Sequence, residues 1–122
     1  MTSYTIMICS EPYKFEATDS LINLAKAIIK KGNTITGIFL YGSGVYNMKK
    51  DIDTGNHIRN LPQKLSDFVK EHGIPVAGCQ TWVGLAGIKE DTYAEGMKDE
   101  GLGELSNWTG DSDKLIVFGA GA

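Results

Sequence analysis

Reactive and metal-binding side chains are scarce in this sequence: 122 residues carry two cysteines, two histidines and three prolines. Cys9, Cys79, His57 and His72 show no metal-ligand spacing, which excludes a zinc site from the reading. Basic residues do not cluster either. Lys30-Lys31 and Lys49-Lys50 are isolated pairs that read as solvated surface, and the net charge is −3 with a pI near 5.3. A nucleic-acid or anionic-membrane binder needs a basic stripe, and there is none. No apolar stretch approaches the length of a membrane span. Met1 to Ser10 lacks a basic n-region, and its apolar run is too short for a signal peptide. With two thiols and no export signal, a cytoplasmic, reducing location is expected, with both cysteines free at rest. Asp51, Asp53, Asp91, Asp99, Asp111 and Asp113 are scattered without a paired-carboxylate arrangement and read as solvated loop charge. Gly42-Ser43-Gly44 follows a strand pattern, but no Lys-Ser/Thr comes after it, so the phosphate-loop pattern is absent.

What is present is an ordinary globular composition, 42% hydrophobic and 22% charged, without low-complexity tracts or repeats. Residues 1–122 make one domain, large enough to bury roughly two thirds of its unfolded surface. Tyr4 to Cys9 is an apolar, β-branched run that reads as a strand buried on both faces. Thr18 or Asp19 offers an N-cap for a helix in which Leu21, Leu24, Ala25, Ile28 and Ile29 recur at helical spacing before Gly32. Thr34 to Tyr41 is a second strand, and Tyr41 to Asn56 a glycine-containing loop. Asn60 caps a second helix with Pro62 in its first turn; Leu61, Leu65, Phe68, Val69 and His72 form its stripe, and Gly73 ends it. His72 reads as a helix C-terminal residue that meets the dipole.

Ile74 to Gly78 is the third strand, which Pro75 can open but not interrupt. Gln80 to Glu100 reads as one or two short helices around Gly84 and Gly87. Leu102 to Trp108 is a short helix, Lys114 to Phe118 the last strand, and Gly119 to Ala122 a frayed tail. Strands alternating with helices imply right-handed crossovers. The expected fold is a three-layer α/β/α domain with a mostly parallel sheet.

Cys79 stands where such a fold places its chemistry, at the carboxyl end of a strand and just after Gly78. If Gln80 to Leu85 starts a helix, its free N–H groups favour a thiolate there without a nearby cation; the first downstream basic residue is Lys89. The plainer reading is a buried cysteine packed as a small apolar group. Cys9 ends the first strand at the same sheet edge. It reads either as a resolving thiol that forms a disulfide with Cys79 or, more simply, as a core cysteine. Tyr41 and Tyr46 read as packing residues whose hydroxyls can also orient a substrate. Trp82 and Trp108 fit either an interface or ordinary packing.

Three segments occur in an order that carries a resemblance over nearly the whole chain. They are Ile38-Phe39-Leu40-Tyr41 running into Gly44-Val45-Tyr46-Asn47, then Cys79 after the third strand, then Gly101-Leu102-Gly103 ahead of Asp113 to Phe118. Together they resemble the DsrE/TusD family of sulfur-relay proteins. The resemblance implies a small cytoplasmic sulfurtransferase without a cofactor that carries sulfane sulfur as a persulfide on Cys79. It acts between donor and acceptor proteins, in tRNA thiolation or sulfur oxidation. It also implies a hexamer, of one kind of chain or with related subunits. The chain departs from some relatives in having Gln80-Thr81-Trp82-Val83-Gly84-Leu85 where they have a basic, alanine-rich segment, and in lacking a Cys-x-x-Cys pair. Two rival readings are a catalytically silent subunit of such a hexamer and a flavodoxin-like nucleotide or flavin binder. The absence of a Ser/Thr-rich phosphate loop after the first strand counts against the latter.

Overall fold

The β-branched run at the amino terminus forms β1 (Ser3–Ile8), and parallel partners flank it on both sides. The structure, a computed structural model, describes residues 1–119; beyond Gly119 the expected tail lies outside them. Four more strands follow: β2 (Thr34–Leu40), β3 (Val76–Cys79), β4 (Met97–Glu100) and β5 (Lys114–Phe118). They form one five-stranded sheet in the order β4-β3-β2-β1-β5. Every pairing is parallel, so the sheet is parallel throughout and not merely for the most part.

Helices α1 (Ala17–Lys30), α2 (Leu61–His72), α3 (Gln80–Leu85) and α4 (Leu102–Asp111) connect the strands. Their placement follows from handedness. From β1 to β4 the chain steps across the sheet in one direction, so right-handed crossovers put α1 and α2 on one face. The step from β4 to β5 reverses direction and delivers α4 to the other face. The two cores reflect this. Ile6, Ile8, Leu21, Ile22, Ile38, Leu40, Leu65 and Phe68 belong to the large one under α1 and α2. Phe39, Ala77, Cys79 and Trp108 form the small one under α4.

Local chemistry explains most boundaries. Asn60 accepts a hydrogen bond from the Gln63 N–H at 3.1 Å and starts α2, with Pro62 in the first turn. Gly73, at φ 64°, ends it, and the Ile74 N–H closes back on the Val69 carbonyl at 3.0 Å. The His72 ring packs against Phe68, with centroids 4.7 Å apart.

Helix α1 corrects the expectation. It begins at Ala17, after Phe15 and Glu16 have both taken left-handed conformations, so neither Thr18 nor Asp19 is its cap. The Thr18 hydroxyl instead donates to Asn47 Oδ1 at 2.5 Å in the core. Asp19 lies in the first turn, where Lys64 at 2.5 Å and Arg59 at 3.2 Å hold its carboxyl below the usual range.

Two more differences lie in the connections. Gly42–Met48 is a 3-10 helix within the expected loop. Of the stretch read as short helices, Gln80–Leu85 is helical, but Met97–Glu100 is an edge strand. Its sequence, Met-Lys-Asp-Glu, has no β-branched residue, so pairing with β3 makes it a strand. Charged residues are also what an edge tolerates.

Candidate active site around Cys79

Strand β3 is buried along its whole length and ends on Cys79, which is also the residue from which α3 starts. Gly78 is there for space. A Cβ at that position would stand 2.5 Å from Met48 Sδ and 3.3 Å from Val83, so glycine lets the 3-10 turn and α3 close on the strand end. That turn is held from within. Asn47, fully buried, donates to the Gly44 carbonyl at 3.0 Å and the Ser10 carbonyl at 3.4 Å while accepting from Thr18. At Gly44 a Cβ would come within 2.2 Å of the Ile8 carbonyl oxygen. Gly44 therefore serves close packing on the end of β1, while Gly42 supplies a left-handed φ of 58°.

Register sets what lies beside the sulfur. Ile8 pairs with Leu40, and Leu40 with Gly78, so Cys9, Tyr41 and Cys79 follow one residue later along the same edge. Ile6 and Ile8 point into the large core, which puts Cys9 on the α4 face with Cys79. The two thiols are nonetheless two strand spacings apart, about 9.6 Å between Cα atoms. Disulfides need less than about 7 Å. Cys9 does lie at the same sheet edge as Cys79, as expected, while the register speaks against the resolving disulfide. Cys9 is half-buried, and that burial pushes its thiol pKa up.

A cavity of about 300 Å³ opens at Cys79, lined also by Tyr41, Gln80, Thr81, Trp82, Gly101 and Leu102. The two aromatic rings meet edge to face, centroids 6.0 Å apart and planes at 67°. Trp108 does not line this cavity; it is buried in the small core against Phe39 and over Gly37, where a Cβ would stand 2.6 Å from its ring. Tyr46 is exposed and borders a separate hollow with Glu11, Pro12, Tyr13 and Ile52. Of the two tyrosines considered from the sequence, Tyr41 alone lines the thiol cavity.

Two residues beside the site escaped the sequence reading. Ala77 pairs with Lys98 and Cys79 with Glu100, so an ion pair of 3.2 Å stands on the next strand. Lys89 is nearer in sequence. Recognising Met97 to Glu100 as a strand was the signal needed to find the pair. Asp99 and Asp113 also do more than carry solvated charge. Asp99 accepts the Tyr93 hydroxyl at 2.6 Å; burial, then this bond, pushes the Tyr93 pKa up to about 12. Asp113 accepts from the Ser3 N–H at 2.8 Å, and its pKa is lowered as a result.

A larger hollow of about 380 Å³ lies among Tyr13, Glu16, Asp19, His57 and Arg59. Asp19 there is engaged by Arg59 and Lys64, and the Tyr13 hydroxyl donates to the Arg59 carbonyl. It holds no thiol, whereas the cavity on the sheet's carboxyl edge does.

The model of the DsrE/DsrF-like family matches residues 2–118. The chain belongs to that family. Among curated relatives, it is 24% identical to a protein named sulfurtransferase TusD homolog from Vibrio vulnificus, over 94% of this chain and 96% of the other. It is likewise 24% identical to sulfurtransferase TusD of Salmonella arizonae, over 94% and 98%. Its fold is similar to the crystal structure of the ychN protein from E. coli, with a TM-score of 0.83, 23% identity, and 97% and 100% of the two chains covered. The DsrE/DsrF-like assignment accounts for the order of the motifs. The Gly-Val-Tyr-Asn turn, the cysteine, which is the last residue of the third strand and not the one after it, and the Gly-Leu-Gly start of α4 converge on one edge of this parallel sheet.

Proposed function

We propose that this chain is a sulfur carrier that accepts sulfane sulfur as a persulfide on Cys79 and passes it to a thiol of another protein. The observation that carries the reading is the position of Cys79 in a cavity at the carboxyl end of a parallel strand, in a chain of this family. The names of the TusD relatives support it at the family level.

The chemistry asks little of the site. A Cys79 thiolate attacks the outer sulfur of a donor persulfide, the donor S–S bond breaks, and the donor thiolate leaves with its electron pair. Attack on the new persulfide by an acceptor thiolate repeats the exchange. No oxidant or cofactor enters. The first N–H groups of α3, which starts from Cys79, have no partners within the helix, although the Cys79 side chain makes no capping hydrogen bond to them. With Cys9 beyond disulfide reach, the sulfur leaves toward another molecule. The expected setting is a cytoplasmic relay, in tRNA thiolation or sulfur oxidation, within a hexamer of one or several kinds of chain.

The test is intact mass after exposure to polysulfide, or to a cysteine desulfurase with cysteine. The mass should rise by whole sulfur atoms, reversibly with dithiothreitol, in wild type and Cys9→Ser but not in Cys79→Ser. Added sulfur that persists in Cys79→Ser overturns the assignment.

One observation favours a second reading, a catalytically silent subunit: Cys79 is only 4% exposed. Alkylation separates the two, because a silent subunit leaves Cys79 unmodified in the folded protein.

A further inference from the structure

Cys79 lines a cavity yet is almost fully buried, and two of the residues that share the cavity with it, Tyr41 and Trp82, are aromatic. Trp82 follows Cys79 by three residues on the turn that opens α3, so both side chains serve one side of that helix. Trp82 is 38% exposed, and its ring meets edge to face that of Tyr41, which directly follows the neighbouring strand β2. Gly101 and Leu102 at the start of α4 form the facing wall. Glycine at 101 meets nothing within 4 Å at its Cβ position, so that wall stands back from the aromatic pair.

We infer that Trp82, braced by Tyr41, is a specificity-determining residue that filters sulfur donors by width and admits unbranched chains ending in a sulfane sulfur. The inference rests on Cys79 being the accepting thiol. A terminal –S–SH group is slender and unbranched, and it can reach the sulfur past the indole. There the Cys79 thiolate bonds to the outer sulfur, the donor S–S bond breaks, and the donor departs as its thiolate; the proton on the outer sulfur stays with it. Bulky electrophiles of equal intrinsic reactivity stop at the ring pair. The filter gives the covered thiol a use: it remains open to its substrate and closed to wider oxidants and alkylating agents.

The test uses a Cys9→Ser background, so that Cys79 is the one thiol, and three probes: inorganic polysulfide, iodoacetamide and a dye-bearing maleimide. Trp82→Ala should raise the maleimide rate relative to the iodoacetamide rate by roughly tenfold, about 1.4 kcal/mol of steric barrier, with persulfide formation from polysulfide little changed. Trp82→Phe, which keeps a ring and guards against loss of fold, should give an intermediate ratio. Leu85→Ala, on the same helix away from the cavity, should leave the ratio at the wild-type value. An unchanged ratio in Trp82→Ala, or equal acceleration by all three probes, overturns the filter. The sulfur-carrier reading fails separately, if polysulfide adds no sulfur to Cys79 while iodoacetamide still modifies it.

Discussion

At the residue scale, the glycines of this chain are not equivalent. Gly44 sits against a backbone carbonyl that cannot rotate away, so a methyl group there forces the turn off the end of β1. Gly44→Ala should cost about 3 kcal/mol or more, the upper range for overpacking. Gly110, inside α4 with nothing within 4 Å of its Cβ position, should respond in the opposite direction. Gly110→Ala should stabilise by up to about 1 kcal/mol, through helix propensity. Urea denaturation of both variants checks the pair. Equal effects would mean that the close approach at Ile8 is relieved by movement of the turn. Asn47 explains why the turn has this shape at all: fully buried, its amide joins the turn after β1, the 3-10 segment and α1.

At the element scale, β4 controls the charge around the thiol. Lys98 and Glu100 neutralise each other beside Ala77 and Cys79, so removing either one leaves a single charge on the adjacent strand. Lys98→Ala should slow alkylation of Cys79 by iodoacetamide at neutral pH by about threefold. Glu100→Gln should accelerate it by a similar factor, since a partly exposed charge a strand away acts with well under 1 kcal/mol after screening. The double variant should return near the wild-type rate. Lys89→Ala, outside β3 and β4, should leave the rate unchanged. A large loss in Lys89→Ala, with no response to Lys98, would place the governing cation elsewhere.

At the scale of the whole molecule, one face of the sheet is only partly covered. Alternation puts Leu115 and Val117 of β5 on the α4 side, where they remain 47% and 42% exposed at the sheet edge. A bare edge strand with apolar side chains is a surface that associates. Sedimentation at micromolar concentration should therefore show an oligomer, a trimer or a hexamer, and Leu115→Lys with Val117→Lys should shift it to smaller species. A wild-type monomer under those conditions would remove the support for assembly through this face.

Hydrophobic periodicity and helix punctuation were legible without any structure. They placed β1, β2, β5 and α2 to within a residue or two, and the strand-to-helix junction at Cys79 stood out because Gly78 and the apolar run before it are local signals. What the chain encodes locally, through side-chain period, caps and turn glycines, can be read locally. Three features could not be read that way. Strand β4 is polar and exists because β3 offers it hydrogen bonds, the start of α1 is set by a turn that hands Thr18 to Asn47, and the neighbours of Cys79 come from register. Tyr41, Lys98, Glu100 and Leu102 lie between 19 and 38 residues from Cys79 in the chain. Only the parallel pairing of β2, β3 and β4, with the reversed crossover that brings in α4, takes Tyr41 and Leu102 to the cavity at Cys79 and Lys98 and Glu100 to the adjacent strand.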